Sequence, residues 1–376
     1  MEKKTNIFDY IEWRGDLSFQ QSAFNEIDGL ILSIFAYLDF SCIGSEIVFF
    51  RDAVQKINVM PDEQKLDGPG IIMEDVVSLA NAAANSERYS NMGVYKFVDI
   101  TDEKLEIQFA AVTFLLPDTT VFISFRGTDN TLVGWKEDLN MCFIDGIPSQ
   151  IEAEKYVETI AREIDMPLRL GGHSKGGNLS IWASAHLDPK HKQRIINIYS
   201  NDAPGFNENF LKASFYLEIR EKICSFVPES SIVGVLMEHD FYTTIRSSSP
   251  SLLQHNPFSW LVSGKCFVYD DSRTLSGKQF EKIINSWIKS MSVEEREELI
   301  ENIYDIVTSS DAKTLEDFDK TKIKSIISMS RTFREMGLRK QTQLIFSLSK
   351  ILFNSDILLN NNFKSLLSET SDEKLC

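Results

Sequence analysis

Gly171-Gly172-His173-Ser174-Lys175-Gly176-Gly177-Asn178 is the stretch that decides the fold. Within it, Gly172 to Gly176 form G-x-S-x-G. Alone, that pattern is common. Here a short apolar strand, Leu168-Arg169-Leu170, precedes it, and a helix follows with Leu179, Trp182 and Ala183 on one face. Strand, tight turn and helix are what a nucleophile elbow requires: the turn holds the serine in strained dihedrals and lifts its Oγ out at the carboxyl edge of a sheet. Gly172 and Gly176 are needed where a Cβ would collide with the neighbouring strand or helix. The blander reading is a glycine-rich βα turn whose serine caps the helix.

Working outward, residues from Gly93 to about Asp271 alternate between strand and helix patterns. Val94 to Val98 alternate as a half-buried strand. Phe109–Leu116 and Val121–Phe125 are apolar runs joined by Pro117-Asp118-Thr119-Thr120, a turn sequence. A helix is predicted near Ile151–Ile164, and further strands at Ile195–Tyr199, Lys222–Val227, Phe241–Ile245 and Cys266–Tyr269. Strands separated by helices indicate a parallel sheet with crossover helices. The expected architecture is α/β, an α/β-hydrolase sheet with helical extensions: a helical region over 1–92 packing on the core, the core over 93–271, and a helical region over 272–376. In the first, Ile27, Leu30, Ile31, Ile34, Phe35 and Leu38 keep helical spacing, and Met73–Ala84 is a second helix. In the last, Ile283, Ile284, Trp287 and Ile288 mark one face, and Ser292 with Glu295 opens the next helix as a capping box. Thr321–Arg334 and Gln341–Phe353 continue it, before a polar tail at Ser368–Cys376.

A serine needs a base. Of five histidines, His173 lies within the elbow, His186 and His191 sit among lysines and are expected to be solvated, and His239 precedes a strand, placing it at the opposite sheet edge. His255 follows Phe241–Ile245, at the edge where Ser174 emerges, and is the candidate base. The acid is less determined. Asp202 follows the strand Ile195–Tyr199, and Glu229 follows the next one. Asp202 is the first choice, being shorter and followed by Pro204-Gly205; Glu229 is the second, with Asp240 or no acid remaining. For the oxyanion hole, one donor is the backbone N–H of Lys175. The other is expected from Arg126-Gly127-Thr128-Asp129, where Gly127 permits close approach and Thr128 offers an N–H and a hydroxyl.

Composition narrows the classes. The charge is 39 − 55 = −16 over 376 residues, with pI about 4.9. Such a surface repels phosphate backbones and argues against a nucleic-acid binder. No apolar stretch follows Lys3-Lys4, and none approaches the roughly 20 residues of a membrane span. Five scattered cysteines without metal or redox spacing suggest a reduced, cytoplasmic chain with no metal site. No phosphate- or dinucleotide-binding motif implies a cofactor. Oligomeric state is not readable.

Phe125-Arg126-Gly127-Thr128, Trp135, Asp138 and Gly172-His173-Ser174-Lys175-Gly176-Gly177 together resemble the core pattern of class 3 (fungal-type) lipases. Asp9-Tyr10-Ile11, Trp13, Asn201-Asp202, Pro204-Gly205-Phe206, Pro228, Ser230 to Gly234, Gln254-His255 and Trp260 look more like a bacterial family of lipase-like α/β-hydrolases of unassigned function. The resemblance spans roughly residues 5–270. It implies Ser174 as nucleophile, His255 as base, Thr128 and Lys175 as oxyanion hole, and Arg126, Trp135 and Asp138 as supports of the oxyanion loop. It departs at one point: class 3 lipases carry the acid in an Asp-x-Val segment, and here Ser231 precedes Ile232-Val233. Ester hydrolysis through an acyl-enzyme is the implied activity, on a small-molecule ester or lipid such as a lysophospholipid or thioester rather than bulk fat. A peptidase or acyltransferase could use the same groups. The competing class is a degenerate hydrolase fold acting as a binding module. Phe241, Phe258, Trp260 and Leu261 are candidates to line an acyl pocket.

Overall fold

The computed structural model of the protein describes residues 4–60, 71–309, 322–337, 339–342 and 344. Two compact units divide the chain, Met1–Arg273 and Thr274–Cys376.

The first unit opens with helices α1 (Ile7–Arg14) and α2 (Glu26–Phe35), strand β1 (Val48–Phe49), and helices α3 (Phe50–Asn58) and α4 (Met73–Ala84). Strands β2 (Gly93–Asp102), β3 (Ile107–Leu115) and β4 (Val121–Phe125) follow, then α5 (Leu132–Asn140), α6 (Pro148–Glu163), β5 (Leu168–His173), α7 (Lys175–His186) and α8 (Pro189–Lys192). The unit continues through β6 (Ile195–Asn201), α9 (Glu208–Lys212), α10 (Ser214–Leu217), β7 (Ile223–Pro228), β8 (Thr243–Ile245), β9 (Val262–Ser263) and β10 (Cys266–Phe267).

Strands β1 to β8 form one sheet in chain order. Pairs from β1 to β4 are antiparallel, and pairs from β4 to β8 are parallel. The chain therefore has the α/β-hydrolase class of architecture, a mostly parallel sheet with helices on both faces. Alternation along β4 accounts for the layering: Phe122 joins the core beneath α2, while Val121, Ile123 and Phe125 join the core beneath α6 and α7. Burial on both faces is why these strands read as continuous apolar runs.

Helix α2 is buried along almost its whole length, as an all-round apolar helix must be. Asn25 caps it by accepting from Ile27 and Asp28 N–H, and Asp28 returns the bond to Asn25 N–H at 2.9 Å. Asp28-Gly29 thus starts the helix rather than interrupting it. Gly29 lies against Tyr199, where a Cβ would meet the ring at 2.7 Å. Asp28 also pairs with the fully buried Arg88 at 2.6 Å and accepts from Tyr10 at 3.0 Å.

Two sequence expectations change. Cys266–Tyr269 does not extend the main sheet: β10 pairs with β9 in a separate hairpin, and Tyr269 makes only an isolated bridge to Ile245. A short apolar run carries no information about its partner. The strand at Phe241–Ile245 is confined to Thr243–Ile245, because Phe241 lies over Arg220 outside the ladder.

In the second unit, α11 (Leu275–Lys289), α12 (Val293–Thr308) and α13 (Lys322–Glu335) are helical. Ser292 and Glu295 form the capping box of α12. Met291, Leu299 and Leu344 make a small core with Trp287, Ile303, Ile306 and Phe333. Apart from Gln341, Thr342 and Leu344, the expected helix over Gln341–Phe353 and the tail Ser368–Cys376 lie outside the described residues. Among the described residues, no helix is long and apolar enough to cross a membrane.

Candidate active site

The stretch around Ser174 joins β5 to α7 in a tight turn. Ser174 adopts φ 58° and ψ −133°, a conformation that costs a non-glycine residue about 1–3 kcal/mol. Its side chain makes no capping hydrogen bond to α7, so the helix-cap reading does not describe it. Instead, Ser174 N–H donates to Asn201 O at 3.0 Å, tying the turn to the end of β6. A Cβ on Gly172 would stand 2.2 Å from the carbonyl carbon of Gly176, and one on Gly176 would stand 2.1 Å from Phe125 O. Either collision would prise the helix from the sheet.

His255 ends a short 3₁₀ turn, Ser251–His255, beyond β8. Its Nδ1 lies 2.7 Å from Asp202 Oδ2. A carboxylate only accepts, so Nδ1 carries a proton, and in the neutral ring Nε2 presents a lone pair. Nε2 has no hydrogen-bond partner among the described residues. Asp202 follows β6, is fully buried, and has φ 50°. Its N–H donates to Phe226 O at 2.8 Å, and its Oδ2 also accepts from Ser231 Oγ at 2.6 Å. The other carboxylates face elsewhere. Burial, then Asp270 beside it, raises the Glu229 carboxyl above its usual range, while Arg246 and Gln254 oppose them. Asp240 pairs with Arg220. The loop that carries His255 is further held by Trp260 Nε1–H, which donates to Gln254 O at 2.8 Å.

The loop after β4 lies against the elbow. Arg126 forks onto Asp99 at 2.8 and 2.9 Å and reaches Asp129 at 3.5 Å. Gly127 is hemmed in: a Cβ there would stand 2.2 Å from the Tyr37 hydroxyl, 2.6 Å from His173 O and 3.0 Å from Ser174 Cβ. Thr128 is buried, and its hydroxyl donates to Asp138 Oδ2 on α5. Asp138 keeps 26% of its side-chain surface, but its Oδ1 is buried without a hydrogen-bond partner. Burial pushes its carboxyl up to about 6, against the pull of Lys175 and Thr128. Trp135, on the same helix, is 38% exposed and does not share that burial.

A family model described as Mbeg1-like matches residues 83–305, more than half of the chain. The chain belongs to the Mbeg1-like family. The matched span contains Thr128, Ser174, Asp202 and His255. No curated protein matches the chain. Among solved structures, an M37 lipase is similar at 15% identity and TM-score 0.37, over 57% of this chain and 70% of its own. The Lip2 lipase from Yarrowia lipolytica is similar at 11% identity and TM-score 0.32, over 60% of this chain and 79% of its own. Both overlaps are too loose to carry residue roles across.

In this Mbeg1-like chain the remaining histidines depart from expectation. His239 lies not at the opposite edge but beside Gly205, three residues after Asp202, where a glycine Cβ would come within 2.9 Å of its Nε2. Burial lowers its pKa to about 4. His191 is buried against Glu158 at 3.2 Å, and His186, partly buried, packs against Trp182 with ring centroids 4.2 Å apart. Burial of their apolar neighbours draws them in. Phe258 and Trp260 belong to the hydrophobic core. Phe241 is half-exposed over Arg220.

Other residues at the site were not anticipated. His173 packs against His255 with ring centroids 4.5 Å apart and the rings tilted by 33°. Its Nε2–H donates to His255 O at 2.9 Å, and its Nδ1 faces the Tyr37 hydroxyl at 3.3 Å. Burial, then the neighbouring His255, holds His173 well below the usual histidine range, so it is a neutral brace. Its place in the elbow was visible; its contact with residue 255 was not.

Proposed function

We propose that the protein is a serine hydrolase that cleaves a carboxylic ester through an acyl-enzyme, with Ser174, His255 and Asp202 as its triad. One observation carries this reading: a histidine anchored at Nδ1 by a buried carboxylate, with Nε2 unpartnered, at the same sheet edge as a serine held at positive φ.

His255 Nε2 takes the proton of Ser174 Oγ as that oxygen attacks the ester carbonyl, and Asp202 stabilises the imidazolium. The oxyanion develops between the N–H groups of Lys175 and Thr128, each such donor being worth about 2.7–4 kcal/mol in the transition state. His255 returns the proton to the leaving alcohol, and water then attacks the acyl-Ser174 ester by the same route. The cycle uses no metal or organic cofactor. Residues 1–92 brace a core over 93–271, with 272–376 as a helical region. The substrate is a small-molecule ester or lipid, handled in the cytoplasm.

Labelling by a fluorophosphonate probe tests the reading. The wild-type chain labels, and Ser174→Ala abolishes it. A folded wild type that never labels would leave a binding fold in place of an enzyme. A series of p-nitrophenyl esters of increasing chain length then ranks acyl preference.

A further inference from the structure

The side chain of Lys175 does something its backbone does not. It is fully buried and runs beneath the oxyanion loop, where Nζ donates to Gln108 O at 2.7 Å, Gln108 Oε1 at 2.7 Å and Glu137 Oε2 at 2.9 Å. Asp138 Oδ1 lies 3.8 Å away. Glu137 is equally buried and also accepts from the N–H of Gln108 at 3.0 Å and of Ser149 at 2.8 Å. One ammonium therefore joins three elements: β3, the helix α5 that carries Glu137 and Asp138, and the elbow itself.

Burying an ammonium is costly unless every proton finds a partner. All three do here. A methionine would fill the same volume without that cost, so the position calls for a reason beyond packing.

We propose that the Lys175 side chain is a positioning strut that fixes the spacing between the two oxyanion donors. The proposal rests on the hydrolase reading. Lys175 N–H belongs to the elbow after β5, and Thr128 N–H to the loop after β4. The two must converge on one oxygen at roughly 2.7–3.1 Å. Thr128 is tied by its hydroxyl to Asp138, Asp138 and Glu137 are consecutive on α5, and Glu137 is tied to Lys175 Nζ. The ring closes on the residue that carries the other donor.

The electrostatics agree with the geometry. Asp138 faces Lys175 from the elbow, Glu137 on its own helix, Asp129 and its partner Arg126 from the oxyanion loop, and the Tyr37 hydroxyl from the N-terminal arm. Lys175 holds the Asp138 carboxyl down against burial. An ionised Asp138 keeps accepting the Thr128 hydroxyl; a protonated one slackens that link.

The test is the second-order rate of fluorophosphonate labelling from pH 5 to 9, with thermal unfolding as control, for wild type, Lys175→Met and Glu137→Gln. Lys175→Met is expected to slow labelling about ten- to a hundredfold, short of the roughly 10²–10³ lost with a donor outright. The acid limb of its profile moves to higher pH, because the ammonium that holds Asp138 ionised is gone. Glu137→Gln removes a neighbouring negative charge and moves the limb the other way. If Lys175→Met fails to fold, the isosteric Glu137→Gln carries the test through its slowed labelling and shifted limb. Folded variants with wild-type rates and superimposable profiles would overturn the strut. A wild type that does not label at any pH overturns the hydrolase reading first, and the strut falls with it.

Discussion

Ser231 Oγ lies 2.6 Å from Asp202 Oδ2, the same oxygen that holds His255 Nδ1 at 2.7 Å. Ser231 stands where the resembling lipase pattern carries its acid. The candidate acid sits one strand earlier, after β6, and the vacated position supplies a hydroxyl that orients it.

Asp202→Asn would offer His255 an amide in place of a carboxylate and favour the wrong tautomer. A loss in kcat on the order of 10⁴ is expected, with KM little changed. Ser231→Ala removes one hydrogen bond to a charged oxygen, worth about 1.5–3 kcal/mol, and should lower kcat by about ten- to a hundredfold. Steady-state hydrolysis of a p-nitrophenyl ester measures both. A Glu229→Gln variant as impaired as Asp202→Asn would reverse the choice of acid.

Gly234 lies beneath the same carboxylate, where a Cβ would stand 2.1 Å from Asp202 Oδ1. Gly234→Ala should displace Asp202 and cost about 10²-fold in kcat, the penalty for a misplacement of about 1 Å. Circular dichroism should find the fold retained. Unchanged turnover would mean that Asp202 does not orient the base.

Stability should fall on acidification. His173 and His239 are both held neutral by burial, with folded pKa values below the unfolded one. Their stabilisation is full above about pH 6.5 and is lost below it, at up to about 1.4 kcal/mol per pH unit each. Asp138, raised to about 6, acts in the opposite sense: the folded state gains a proton first, which favours folding as pH drops from about 6 toward 4. Glu229, also raised by burial, acts with Asp138, but the two histidines lose stability from about pH 6.5 downward, across the whole window. The urea midpoint should therefore be lower at pH 5 than at pH 7, and His239→Gln should flatten that difference. A midpoint that rises at pH 5 would contradict this account.

Arg88 and Asp28 form an ion pair with neither side chain exposed. Arg88 NH1 also donates to the carbonyls of Leu17 at 3.0 Å and Ser22 at 2.9 Å. Removing one partner of a buried pair costs about 3–5 kcal/mol. Arg88→Met should lower the melting temperature by roughly 10 °C. Calorimetry checks it; a shift within experimental scatter would mean that the network is not needed to dock the N-terminal arm.

These residues differ in how far the bare sequence reveals them. The elbow is legible because its requirements are local: a strand, two glycines and a helix within a few positions. The parallel sheet is legible because strands buried on both faces lose their polar alternation. His255 could be reached by its position after a strand. Choosing among Asp202, Glu229 and Asp240 required knowing which loop turns toward that histidine, and no spacing encodes this. Tyr37 and His173 are 136 positions apart, and neither predicts the other. The inward course of Lys175 is hidden for the same reason, since a lysine in a turn reads as a surface residue.

The sheet's chain-order arrangement has a temporal side. A chain emerging from the ribosome extends this sheet by laying each new strand beside the last, with no strand inserted between two already paired. Tyr37 and α2 are available to cover the first strands before the elbow is made, and Asp202 waits at its edge for a partner. His255 arrives last. Under the proposed chemistry, Ser174 has no base while the chain is still being made, and a polypeptide stopped before that loop would carry a serine without one.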